Sequence, residues 1–197
     1  MSDQSSPNRR DFMKQSTAAA VGASVLGNLT TPIGAFAQEK NEIKIGLIGC
    51  GGRGSKAAVQ ALSTEGDVKL TAMADAFPDH LEQKLSMIKK QMQKTPERVD
   101  VDEDHKFLGL ESFKQMMQTD VDLVILATPP GFRPMMFEAA INAGKHVFME
   151  KPVATDAPGV RKVLQNVQLA KEKNLKVGVG LQRHHQLTYL ETMKQLR

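Results

Sequence analysis

The chain has 197 residues, 41% of them hydrophobic and 24% charged, a composition that fits one globular domain or two small ones. Its net charge of +4 is modest, Lys89-Lys90 and Arg161-Lys162 lie on helix-like stretches, and there is no Trp, so solvated helix faces account for the charge better than a nucleic-acid groove. The single cysteine, Cys50, excludes an intrachain disulfide.

Residues 1–37 read as an address rather than as part of the fold. Adjacent Arg9 and Arg10 precede Phe12 and Lys14, an uncharged stretch runs from Gln15 to Gln38, and Ala35-Phe36-Ala37 forms a small-x-small cleavage pattern. The pattern resembles a twin-arginine export signal, with Asn8 and Met13 departing from the usual residues. It implies a periplasmic or secreted protein that meets the twin-arginine translocation machinery already folded. The stretch carries too much Thr, Ser, Gly and Pro for a permanent membrane span.

From Ile43 the chain alternates between strand and helix patterns. Ile43, Ile45, Leu47 and Ile48 predict a buried parallel strand over 43–48. Gly49, Gly51 and Gly54 follow at G-x-G-x-x-G spacing and open a helix over about 53–63. The first glycine permits a tight turn, the second lets the backbone approach a pyrophosphate, and the third lets helix pack on strand. With Gly52 and Arg53 they form a predicted dinucleotide cradle, where a helix N-terminus offers free N–H groups to phosphate. Cys50 sits inside this turn, and a tolerated small side chain explains it better than a catalytic thiol. A second strand over 68–74 leads to Asp75, 26 residues after Gly49, placed to accept from a ribose 2′-hydroxyl. No Arg or Lys follows Asp75 directly, so NAD is expected over NADP, whose 2′-phosphate the carboxylate repels. An export route for folded proteins suits a chain that takes up a nucleotide in the cytoplasm.

Next come a helix from Pro78 to about Gln93, a charged loop over 95–104, a short strand over 106–108 and a helix over 111–118 with Phe113, Met116 and Met117 as core candidates. A buried strand over 121–127 stops at Thr128-Pro129-Pro130-Gly131. A helix over 133–142, a strand over 146–149, a long helix over 157–173 and a strand over 176–181 complete the pattern, before an amphipathic helix from Leu187 to Arg197. Such alternation predicts a doubly wound, parallel Rossmann-type α/β sheet with right-handed crossovers.

The run Ala143-Gly144-Lys145-His146-Val147, continuing to Glu150-Lys151-Pro152, and the strand end Ala127-Thr128-Pro129 resemble the glucose–fructose oxidoreductase/inositol dehydrogenase/MocA family over about residues 42–183. The resemblance implies NAD as cofactor, a sugar, polyol or related carbohydrate as substrate, and Lys151 as the catalytic lysine on a Glu-Lys-Pro turn beside the nicotinamide, with a cis Lys151–Pro152 bond. Thr128, Pro129, Glu150, Lys151 and Pro152 join the glycine turn and Asp75 as cofactor-binding candidates. Arg183 matches the family's arginine after the sixth strand and with His184 is a substrate candidate; His184 and His185 either bind substrate or belong to a linker face. Adjacent histidines without a third ligand make no metal site. Where the family carries an Asn and then a His after Ala-Thr-Pro, this chain has Pro130 to Arg133, leaving that histidine's role unfilled or taken by Arg133. Glu150 and Lys151 as a plain surface charge pair is the simpler alternative.

The expected organisation is a signal over 1–37, a dinucleotide-binding domain over 38–183, and from 184 to 197 the start of a linker helix to a second, α+β substrate domain that these residues lack. On this reading the active site is half built. Three functions stay open: hydride transfer between nicotinamide and a carbohydrate, glycoside cleavage by oxidation, elimination and reduction on bound NAD, and a non-catalytic nucleotide-binding module. Self-association into a homo-oligomer is compatible with each.

Overall fold

A computed structural model describes residues 42–196. The expected export signal lies outside the described residues. Six strands form one parallel sheet in the order β3-β2-β1-β4-β5-β6: β1 (Ile43–Ile48), β2 (Val68–Asp75), β3 (Lys106–Leu108), β4 (Leu123–Leu126), β5 (His146–Met149) and β6 (Val177–Val179). The helices are α1 (Gly52–Leu62), α2 (Pro78–Gln91), α3 (Ser112–Met116), α4 (Arg133–Asn142), α5 (Ala157–Glu172), α6 (Gln182–His185) and α7 (Leu187–Gln195). The order reverses between β1 and β4, which makes the topological switch point of a doubly wound fold.

Strand alternation divides the core between the two faces. Leu47 and Ile125 pack with Leu62, Leu70, Leu81 and Ile88 on one side, while Ile48, Val124 and Leu126 pack with Phe113, Met116, Phe137 and Ile141 on the other. Each such fully buried side chain contributes about 1.5–3 kcal/mol relative to exposure. Gly46 in β1 leaves room for Met116, since a Cβ there would lie 2.4 Å from the sulfur.

Three expectations change. The segment 95–104 is not a plain loop, because Val99 and Val101 are buried and Val99 bridges to Leu70, with Asp100 N donating to Leu70 O at 2.9 Å. Arg98 fastens it by donating to the carbonyls of Leu62, Thr64 and Gly66. Two buried valines outweigh the charged residues around them. The strands β4 and β6 are shorter than their apolar runs because side chains make the first contacts: Lys44 N donates to Asp122 Oδ2 at 2.8 Å, and Lys176 N to His146 Nδ1 at 2.9 Å. Finally, a four-residue helix, α6, precedes α7. The stripe Leu187, Leu190, Met193 and Leu196 is exposed and does not fold back onto a core.

Candidate functional site

The ladder register aligns Ile48 with Ala74 and Leu126, Leu126 with Met149, and Met149 with Val179. One step beyond, Asp75, Gly49, Ala127, Glu150 and Gly180 therefore stand in a row along the carboxyl edge of the sheet, where open α/β folds bind ligands. Two cavities flank the switch point on this edge.

The glycine turn is built by three different constraints. Gly49 has φ +94°, and a Cβ on it would lie 2.8 Å from the backbone of Ala127 and Thr128. A Cβ on Gly54 would lie 1.9 Å from Gly49 O, so α1 can meet β1 only without one. A Cβ on Gly51 or Gly52 would meet nothing within 4 Å, which leaves open space above the start of α1. The N-cap, Gly51, supplies no side-chain cap, so the first N–H groups of α1 face that space without one. These residues fit a pyrophosphate.

Asp75 is buried at the end of β2 and accepts from Cys50 N at 2.6 Å and from Phe77 N at 3.0 Å. It thus ties the glycine turn to the following loop. His80 Nδ1 stands 3.8 Å from the same carboxylate, and its ring meets Phe77 edge-on at 5.4 Å. A cavity of about 540 Å³ opens beside Asp75, lined by Gly49, Gly51, Phe77, His80, Leu110, Thr128, Pro129 and Phe132 among others. It is largely apolar, as suits a base and ribose. Phe77, His80, Leu110 and Phe132 were not foreseen from sequence; the Phe77/His80 spacing on the first turn of α2 is the one available signal. Cys50 is buried, and burial followed by the Asp75 charge pushes its thiol up, which agrees with a packing role.

The second crevice, of about 890 Å³, is more polar than the first. It is lined by Arg53, Ala127, Arg133, Glu150, Lys151, Gly180, Leu181, Gln182, Arg183 and His184. Lys151, Arg183 and His184, predicted from separate stretches, are thus brought together. His185 lines a different depression with Lys56 and Gln60. The Lys151–Pro152 bond is cis, and Lys151 is exposed. Among the described residues no carboxylate pairs with Lys151, so it and Glu150 are not a surface charge pair. Glu150 is instead 7% exposed, with Arg53 Nη2 2.7 Å from its Oε1 in an ionic contact outside hydrogen-bond geometry. Its carboxylate lies against Gly180, where a Cβ would come within 2.7 Å. Arg183 stacks over Tyr189 at 5.4 Å.

Arg133 does not take the place of a substrate-facing histidine. It is 3% exposed, and its guanidinium donates to the carbonyls of Glu150 (2.6 Å), Pro152 and Thr128. Burial lowers its pKa while the Glu150 charge opposes this. As the first residue of α4 it lies beneath the edge, turned inward.

Residues 43–181 match the model of the Gfo/Idh/MocA oxidoreductase family, NAD-binding Rossmann fold. A glycosyl hydrolase family 109 protein of Solibacter usitatus is 32% identical over 151 residues, covering 75% of this chain and 33% of that protein. Inositol 2-dehydrogenase of Rhizobium meliloti is 30% identical over 131 residues, covering 66% and 34%. The structure of scyllo-inositol dehydrogenase from Lactobacillus casei, with bound NAD(H) and scyllo-inositol, superposes with a TM-score of 0.60 at 27% identity, over 79% of this chain and 41% of that one. The chain spans about a third of the length of the curated relatives it matches. The sheet order, the glycine turn and the family match agree: this chain belongs to the Gfo/Idh/MocA oxidoreductase family and carries its NAD-binding Rossmann fold.

Proposed function

We propose that this chain is the nucleotide-binding part of an exported, NAD-dependent oxidoreductase that acts on a sugar, polyol or related carbohydrate. The observation that carries this reading is the convergence of Lys151, which pairs with no carboxylate among the described residues, with Arg183 and His184 on one crevice, across the switch point from the glycine turn. The first N–H groups of α1 and Arg53 hold the pyrophosphate, Asp75 accepts from the adenosine ribose, and the wall Thr128–Pro129 guides the dinucleotide toward Lys151. Bound NAD supplies the acceptor for a hydride from the substrate carbon. Lys151 Nζ takes the hydroxyl proton as the C–O bond becomes a carbonyl, and returns it to that oxygen in the reverse direction. Arg183 and His184 orient substrate hydroxyls, and Asp75 favours NAD over NADP.

Lys151→Ala tests this: turnover should fall by about 10²–10⁴-fold, while NAD affinity stays within about twofold, because the phosphate cradle is untouched. Undiminished turnover in that variant would remove Lys151 from the chemistry. Tighter binding of NADP than of NAD would overturn the role given to Asp75.

The 32% identity to a glycosyl hydrolase family 109 protein favours a second reading, glycoside cleavage by oxidation, elimination and reduction on the same bound NAD. Product analysis on aryl glycosides and on free polyols separates the two: net hydrolysis without net NADH points to the second. Export rests on Arg9 and Arg10, and the Arg9→Lys, Arg10→Lys double variant should retain an uncleaved precursor in the cytoplasm. Normal periplasmic appearance of that variant contradicts the twin-arginine route.

A further inference from the structure

We propose that Arg133 is the positioning residue for Lys151, and that its buried guanidinium sets the distance between the lysine turn and the dinucleotide wall. The two strands below this point are joined by their ladder, whose last bond is Glu150 N donating to Leu126 O at 3.0 Å. Beyond it the loops after β4 and β5 separate, and among the described residues no main-chain hydrogen bond connects them. Arg133 takes over there. Nη1 donates to Glu150 O and Pro152 O, the two carbonyls on either side of Lys151. Nη2 donates to Thr128 O, on the wall that lines the apolar cavity. One rigid, planar fork thus fixes three backbone points on two loops.

The lysine needs this support. Lys151 is exposed and makes no hydrogen bond or ion pair through its side chain among the described residues, so its direction is inherited from the backbone that carries it. Burying a cation here is costly unless donors find acceptors, and three carbonyls take Nη1 and Nη2 while Nε has no partner among the described residues. A lysine at 133 would deliver one point charge to one or two of these carbonyls and leave the rest unpartnered. At 3% exposure Arg133 offers almost no surface to the crevice it lines, so its effect on turnover passes chiefly through the turn.

The inference rests on Lys151 being the proton-handling group, and the experiment separates the two ideas. Arg133→Lys is compared with the parent by hydrogen–deuterium exchange, NAD titration and steady-state kinetics. Exchange in the 150–155 segment should quicken by roughly tenfold or more while the 49–54 segment is unchanged, since only the former hangs on the fork. NAD affinity should stay within about threefold, and kcat should fall by on the order of 10²-fold with little change in substrate KM, the signature of a displaced catalytic group. Should this variant fail to fold, Arg133→Gln, which keeps two donors on one amide, carries the same comparison. Unchanged exchange at 150–155 would overturn the clamp itself. A loosened turn with undiminished kcat would keep the clamp but overturn its positioning role, whereas undiminished kcat in Lys151→Ala, measured alongside, would overturn the assignment of Lys151 alone. An equal loss of NAD affinity and kcat would make Arg133 a general support of the fold rather than a positioning residue.

Discussion

Two turns on the same sheet edge are held in opposite ways. The turn from Gly49 to Gly54 is shaped mainly by its own backbone, with a positive φ at Gly49 and no room for a Cβ at Gly54, and takes one outside side chain, Asp75 of β2, on the Cys50 N–H. The turn from Glu150 to Pro152 is held from outside, by Arg53 on α1 and Arg133 on α4. The first is a rigid receptor whose own backbone is the binding surface. The second carries an exposed lysine that must be aimed, and its aim depends on side chains from other elements. On the proposed function, binding and chemistry fall on opposite sides of the switch point and should respond to different mutations.

The largest effect should come from Gly54→Val. Its Cβ has nowhere to go but into the Gly49 carbonyl, so α1 must leave β1. We expect a loss of about 3 kcal/mol or more in urea unfolding together with loss of NAD binding. A stable, NAD-binding variant would show that the first turn is not held by this contact.

Asp75→Asn is milder and sharper. It removes a charge-assisted acceptor from Cys50 N and from ribose, and a hydrogen bond of that kind is worth about 1.5–3 kcal/mol. NAD affinity should fall at least tenfold, and the preference over NADP should narrow, as read by titration with both. Exchange around Lys151 should not change. If the 150–155 segment loosens as well, the two turns are one unit and the comparison fails.

The Cys50 thiol gives a pH test of the same turn. Its folded pKa is raised, so the fold keeps the proton that an unfolded thiol releases above about pH 8.5. That contribution is fully present below the unfolded pKa and declines as pH rises through the alkaline range. Alkylation of Cys50 at pH 9 should accordingly be far slower in the folded chain than in urea, and Cys50→Ala should flatten the alkaline loss of stability. Rapid alkylation of the native protein would mean that the turn opens. The smallest effect belongs to Arg53→Ala. Arg53 is half exposed and its contact with Glu150 is screened, so it should cost no more than about 1 kcal/mol in unfolding, measured against a several-fold loss in NAD affinity.

These contrasts explain what could be read in advance. Gly49, Gly51 and Gly54 announce their turn because each constraint is local, and the strand before and helix after supply the context. Asp75 was placed by spacing, but its bonds to Cys50 and Phe77 were not, since they depend on how the loop closes. Lys151, Arg183 and His184 were found through a family resemblance and do share one crevice. For Arg133 the sequence leaves two readings open, an unfilled histidine role or a substitute for it, because position in a motif does not say which way the first residue of a helix points. The charged stretch around Val99 was misread for a similar reason: two valines found a strand edge that composition could not reveal. The stripe on α7 has the period of a packed helix, yet among the described residues nothing covers it.

How one dinucleotide lies across both turns decides whether binding and chemistry are divided between them. The direct measurement is a comparison of backbone amide shifts on adding NAD or ADP-ribose, which lacks the nicotinamide. Both ligands should move Gly51, Gly52, Arg53 and Asp75, and NAD alone should also move Lys151 and Gly180. Identical shifts with the two ligands, or shifts that bypass the glycine turn, would contradict the assignment of binding to the first turn and chemistry to the second.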